Sequence, residues 1–347
     1  MMLNSSIFPR TAADGRKLLQ RVKAANLALD QERMVLAISA ALFVTFSLLL
    51  NGFLQISNLL ALVQNVSILG ILAVGMAIVI IGRGIDLTMV AMMVFTVGWS
   101  FSLAADGMAI GIALVFGLVL AVILGAISGA LIAYVEIPAI FATLAMAIVI
   151  SGLGRFALID TDTIFLTGDL GLLGDLGAGR VANVVPMPVV WFLLLSFLAF
   201  LALRRTRYGA FLYAIGDNPL AARNNGTAIR PMIVFLYAVS AAIAFFAGVV
   251  MATTVLTVNT RLANSTMVYD IVLVVVIGGI GLSGGKGSIR NVLAGTLLIG
   301  LLLNGMTIMN VSYSVQNIIK ALILLLAIIV DSLLNPRDEQ TSQQGDI

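Results

Sequence analysis

Apolar runs close to the 20 or so residues that a helix needs to cross a bilayer follow one another along this chain with little between them. They lie at Met34–Leu50, Leu59–Ile81, Thr88–Leu103, Ala109–Ala133 and Pro138–Ile159, then at Met187–Leu203, Met232–Val258, Val268–Gly281, Val292–Met309 and Gln316–Leu334. Hydrocarbon offers no water to bond a backbone amide, so such runs fold as helices. The expected fold class is all-α, a polytopic membrane bundle of about ten transmembrane helices over residues 34–334. Thr88–Leu103 and Val268–Gly281 are short, and each is expected to dip, break or borrow residues from the adjoining Gly-rich segment. Whether 82–91 and 278–290 are re-entrant stays open at this level. Only 10% of the 347 residues are charged, against about 25% in soluble domains, which fits a surface turned to lipid.

Lysine and arginine orient the bundle. Residues 1–33 carry Arg10, Arg16, Lys17, Arg21, Lys23 and Arg33, too long a polar stretch for a signal-peptide n-region, so they are expected to form a cytoplasmic segment before a retained first helix. With that start, fifteen Lys and Arg fall inside, and four (Arg155, Arg180, Arg261, Lys320) fall outside or on outer helix ends. The asymmetry follows the positive-inside rule. Ten spans return the C-terminal tail, Asn335–Ile347, to the cytoplasm as well.

The chain has no cysteine and no histidine, which removes disulfides, thiolate nucleophiles, imidazole-based catalysis and the usual zinc sites. No metal site is expected. No soluble domain is large enough to carry a basic face for nucleic acid. Asp86, Glu136, Asp160, Asp162, Asp270 and Asp331 all fall at expected helix ends or in loops, and Lys320 lies about one turn inside its helix, within reach to snorkel outward. No acid is expected in the middle of a span, where ion-coupled carriers place theirs. That disfavours a stand-alone secondary carrier.

Uncharged polar residues do enter the spans: Gln64, Asn65 and Ser67 in the second, Thr253, Thr254, Thr257 and Asn259 at the end of the seventh, and Asn304 in the ninth. They either bond neighbouring helices or line a path for a neutral, hydroxyl-rich solute, which amides can both donate to and accept from. Gly125 and Gly129 form a GxxxG step in the fourth span, the small-residue pattern of close helix packing.

Most connections are short. The long inner one, Arg204–Pro231, reads RRTRYGAFLYAIGDNPLAARNNGTAIRP. Asp217 or Asn218 can cap a helix, Pro219 suits its first position, Leu220, Ala221, Ala222 and Arg223 propagate it, and Asn224-Asn225-Gly226 supplies a left-handed stop. A one- to two-turn helix with a basic rim is expected there, either resting on headgroups or docking a cytoplasmic partner. A second inner stretch, IGGIGLSGGKGSIR (Ile277–Arg290), is no phosphate loop: Ile280 stands where the first glycine belongs, and Gly287 follows Lys286 where Ser or Thr is required. The stretch IGRGIDLT (Ile81–Thr88) is similar to IGGIGLS (Ile277–Ser283), which hints at an internal duplication. Asp86 is placed to cap the third span.

Together these residues resemble a known family. GIDLT (Gly84–Thr88), RTRYGAFLYAIG (Arg205–Gly216), NPLAAR (Asn218–Arg223), GGIGLSGGKGS (Gly278–Ser288), GAISGALIAYVEIPAIFATLAM (Gly125–Met146) and KALILLLAIIVD (Lys320–Asp331) are similar to the ribose-type permeases of bacterial ABC importers. The chain departs from that family at Met89-Val90-Ala91, where a small Val-Gly-Ser run is usual, and at Ser128, where Asn is common. The resemblance implies a multi-pass inner-membrane subunit that moves a small sugar of pentose or hexose type; a polyol, a furanose signal molecule or a nucleoside is the alternative cargo. It implies a second permease subunit, a periplasmic binding protein, and two cytoplasmic ATPase domains that hold ATP and Mg, with no cofactor in this chain. Gly216, Asp217, Asn218, Pro219, Leu220, Ala221, Ala222, Arg223 and Gly226 would receive the ATPase motion. Gln64, Asn65, Ser67, Thr253, Thr257 and Asn304 are the path candidates, and Gly84, Asp86, Gly278, Gly279, Ser283, Gly284, Gly285 and Gly287 carry the glycine motifs.

Overall fold

A computed structural model describes residues 12–166 and 171–334; residues 1–11 and the tail 335–347 lie outside them. The helices are α1 (Ala12–Leu49), α2 (Ile56–Ile81), α3 (Met89–Ala105), α4 (Ile110–Tyr134), α5 (Ala139–Leu153, prolonged by a wider turn over Gly154–Leu158), α6 (Leu172–Ala178) and α7 (Met187–Arg205). They continue as α8 (Arg207–Asp217), α9 (Pro219–Asn224), α10 (Ile229–Val255), α11 (Met267–Ile277), α12 (Ile289–Ile308) and α13 (Tyr313–Leu334). Each of the ten expected spans is a helix, and eight are long and apolar enough to cross a membrane. From Ala12 onward the polar segment 1–33 forms one continuous helix with the first span. We call the face that carries α8 and α9 inner.

The two short helices lie in the middle. At 1.5 Å per residue the 11 residues of α11 reach about 16 Å, roughly half of the hydrocarbon thickness. Broken backbone survives at such depth only inside protein, and Met89–Val97 and Ile271–Val276 are accordingly buried throughout. Long helices enclose them in a crossed pattern. α10 packs on α3 and α4, while α2 packs on α11 and α12; α3 also meets α4 and α5 as α11 meets α12 and α13. The segments α2–α5 and α10–α13 are thus counterparts that run in opposite senses, an inverted repeat. This corrects the register expected for the duplication: the counterpart of 82–88 is the stretch that follows α10, and 278–288 resembles it without being its equivalent.

The outer ends are closed by short strands. β1 (Thr163–Phe165) pairs antiparallel with β4 (Thr257–Asn259), and β2 (Arg180–Val181) with β3 (Val185–Pro186). The β1–β4 ribbon and the 3-10 turn Thr260–Asn264 sit over the outer end of α3. Apolar side chains cover the outward faces, as with Ile112, Val115, Val119 and Ile123 on α4 and Ile318, Leu322, Leu325 and Ile329 on α13.

The closest long crossing, α4 on α10, is made by the GxxxG step. Any Cβ at Gly125 would run into the Tyr237 carbonyl and Ala241, and one at Gly129 into the backbone of Val234 and Ile233. Gly129→Leu is therefore expected to lower stability by about 1–3 kcal/mol, read as a reduced Tm in detergent. Gly152→Leu, on α5 with open space beside it, leaves Tm unchanged.

Candidate functional site

The inner face is built from α8, α9 and two glycine loops. Thr206 opens α8, its hydroxyl accepting from the Gly209 amide at 3.3 Å. Gly209, Leu212, Ile215 and Gly216 form the buried stripe, and Tyr208, Phe211, Ala214 and Asp217 face outward. This helix was not anticipated, although Thr206 and the three- and four-residue spacing of the stripe mark it. α9 follows the expected grammar. Asn218 is the cap, with its Oδ1 accepting from the Ala221 amide at 3.0 Å, and Pro219 takes the first position. Asp217, the other cap candidate, is the last residue of α8. Gly226 ends α9 at φ 80°, its amide donating to the Arg223 carbonyl at 2.9 Å. Leu220, Ala221 and Arg223 are exposed, and Ala222 is buried against the bundle.

Behind this helix pair, backbone meets backbone. The Gly285 amide donates to the Ile81 carbonyl at the end of α2, at 2.9 Å. Gly216 lies so close to both that a Cβ there would collide with the Ile81 oxygen and the Gly285 backbone, and Gly285 itself sits at φ 69°. Gly284 packs on Arg83, and the Tyr213 hydroxyl donates to the Gly287 carbonyl at 2.8 Å. Asn291 holds the start of this loop, donating to the Gly278 carbonyl at 2.7 Å beneath Gly279. Ser283 is half-buried in the turn. Gly216 at the end of α8, Gly285 of the second loop and the Ile81 carbonyl therefore form one backbone contact, with no side chain between them to absorb a displacement.

The 82–88 segment climbs from there into the bundle. The Ile85 carbonyl accepts from the Tyr237 and Thr143 hydroxyls, each at 3.2 Å, beside Gly84. Asp86 lies just ahead of α3, whose cap position is Thr88; it accepts from the Thr88 amide at 3.0 Å and from its hydroxyl, so it holds the cap residue instead of taking the cap position expected for it. Its other oxygen accepts from Ser240 at 2.7 Å. Ser240 is eleven residues into α10, about 16 Å from its inner end. Asp86 thus lies in a loop between spans, as expected, yet is buried at mid-depth within the bundle. Its position in a loop hid its depth.

Lys320 does not snorkel. Its ammonium meets the Asp270 carboxylate at 2.8 Å, joining α13 to α11 inside the protein, with 8% and 15% of the side chains exposed. Thr266 extends this clamp to Tyr313 at 3.0 Å and to Asn317 at 3.2 Å.

Several path candidates are occupied with structural bonds. Asn304 forms a reciprocal amide pair with Asn58 at 2.8 and 3.1 Å, tying α12 to α2. Ser67 and Thr253 donate back to carbonyls of their own helices, at 2.6 and 2.8 Å, and Thr257 lies in β4. Gln64 and Asn65 remain on the outer part of α2, half-buried and exposed respectively. At the outer surface Asp162 accepts from Arg155 and Arg261, and these guanidinium groups hold its carboxyl below the usual value.

Removing one member of the buried pair strands a charge, so Lys320→Met is expected to cost about 3–5 kcal/mol, and the double variant Lys320→Met/Asp270→Leu to recover most of it in thermal unfolding. The depressed Asp162 value makes its contribution complete above the ordinary carboxylate pKa and lost as pH falls through the folded one. Proteolysis of the outer loops should therefore be flat from pH 7 down to the ordinary range and quicken only below it. Asp162→Asn should cleave at the fast rate throughout.

Residues 58–328 match the family described as branched-chain amino acid transport system / permease component. The chain is 31% identical to the ribose import permease of Escherichia coli over 291 residues, 82% of this chain and 89% of that one. The fructose import permease of Rhizobium meliloti is 29% identical over 305 residues, covering 83% and 81%. For the galactofuranose transporter permease of Escherichia coli the figures are 28% over 262 residues, 76% of each chain. No solved structure matches. An interrupted helical bundle with an inner helix pair, matched over nearly all its spans, makes this a multi-pass membrane protein that belongs to the ribose-type carbohydrate permease family of ABC importers.

Proposed function

We propose that the chain is the membrane subunit of an importer that carries a small sugar, of pentose or hexose type, across a bacterial inner membrane. Separate ATPase subunits supply ATP and Mg chemistry from the inner side, a binding protein delivers the sugar at the outer side, and a second permease subunit completes the channel. The observation that carries this reading is the seating of α8–α9. An exposed helix with Leu220 and Arg223 outward is backed by a glycine contact onto the ends of α2 and of the 278–288 loop. A push on α9 passes through α8 to the enclosing helix α2 and, across Gly285, to the loop between α11 and α12. Both repeats are moved from one lever.

The relatives' named cargoes, ribose, fructose and galactofuranose, support a hydroxyl-rich neutral solute. Gln64 and Asn65 suit such a path: among the described residues neither side-chain amide has a hydrogen-bond partner, and an amide without a partner does not rest in lipid. Ser67, Thr253 and Asn304 already have hydrogen-bond partners in the protein, which leaves them less free to meet a solute, while Thr257 stays a path candidate.

The test is sugar uptake and ATPase stimulation in the assembled complex carrying Pro219→Gly with Arg223→Glu. The expected result is loss of at least about tenfold in uptake, since replacing proline by glycine loosens the start of α9 and the charge reversal alters its exposed last turn. Wild-type uptake in that variant, or concentrative uptake by liposomes holding this chain alone, overturns the proposal.

A further inference from the structure

Two arginines from different helices meet on one aromatic ring at the inner membrane boundary. The Arg204 guanidinium, in the last turn of α7, lies 5.6 Å from the Phe200 ring centroid, and that of Arg290, in the first turn of α12, lies 5.8 Å from it. Among the described residues no carboxylate pairs with either. Arg205 and Arg207 continue the basic rim, exposed, with Tyr208 beside them in sequence.

For Arg204 a local reason exists, since a cation in the last turn offsets the negative end of the α7 dipole. Arg290 has none. It stands at the positive end of α12, where a cation is disfavoured, and it is brought toward a second cation. Stacking on one ring gives each guanidinium a modest return, and repulsion between them works against it. What would turn this arrangement favourable is an anion bridging the two groups.

We propose that Arg204, Arg290 and Phe200 form a site for the phosphate of an anionic phospholipid headgroup, held between α7 and α12 on the inner leaflet. Guanidinium forks match phosphate oxygens in bidentate geometry. The site faces the bilayer edge one turn from the end of α7, at headgroup level, so its acyl chains would run along the apolar faces of Leu193, Leu194, Phe197 and Leu198. Basic pockets between helices on the cytoplasmic side are the kind of place where such headgroups are retained.

The experiment reconstitutes the full chain in nanodiscs of phosphatidylcholine containing a minor fraction of phosphatidylglycerol, and reads bound lipid by native mass spectrometry after release. Wild type and Arg261→Gln, a change on the outer face, should retain phosphatidylglycerol over phosphatidylcholine. Arg204→Gln/Arg290→Gln should lose that preference by on the order of tenfold, while eluting as wild type by size exclusion. The conservative pair Arg204→Lys/Arg290→Lys should retain part of it. Equal retention in the Gln pair overturns the proposal. So does displacement of the lipid by millimolar inorganic phosphate, which marks a free-phosphate site. Loss of co-purifying ATPase with lipid retention unchanged marks a protein contact and also overturns it.

Discussion

Backbone that leaves the helical path inside a bilayer must be hidden from lipid, because each bare amide or carbonyl there costs several kcal/mol. This chain breaks its backbone twice at depth, before α3 and around α11, and most of the remaining architecture serves to cover those breaks. α10 and α4 shield the first, and α2 and α12 the second. The glycines of α4 permit the approach, and the hydroxyls of Thr143, Tyr237 and Ser240 satisfy the polar atoms of 85–86. The irregular segments are consequently bonded by side chains from the helices that cover them, whereas α2 and α11 contribute mostly apolar side chains to the interior.

Covering each break with the partner repeat also fixes how motion can travel. α2 belongs to one repeat in sequence and to the other in packing, and the same is true of α10. Neither repeat can rock without carrying a long helix of its counterpart. The inner contact of Ile81, Gly216 and Gly285 sits at the inner end of α2, so α8 rests directly on the backbone of one of these swapped helices. Interfaces of this kind have discrete arrangements and do not deform continuously.

Much of the architecture was legible from residue order. The spans follow from apolar run length, and α9 from cap, proline and stop in successive positions, because both signals are local. Part of the family resemblance rests on glycine motifs that meet backbone in the fold, at Gly216, Gly278, Gly284 and Gly285, where neighbouring atoms leave no room for a Cβ. What was not legible depends on chain separation. Lys320 and Asp270 are 50 positions apart, and Asn58 and Asn304 are 246 apart, so no local pattern announces either pair. Asp86 read as a loop residue, correctly, but depth is a property of the folded bundle. α8 is weakly marked in the sequence because its stripe is short and contains two glycines, and because Tyr208 and Phe211 lie on its exposed side.

The Asp270–Lys320 pair has one further consequence. A bare charge carried across the membrane would do work against the transmembrane potential, about 2.3 kcal/mol per 100 mV. Here acid and base are joined between α11 and α13, so any excursion the two helices make together carries equal and opposite amounts. That part of the cycle draws nothing from the cell's voltage and is not resisted by it.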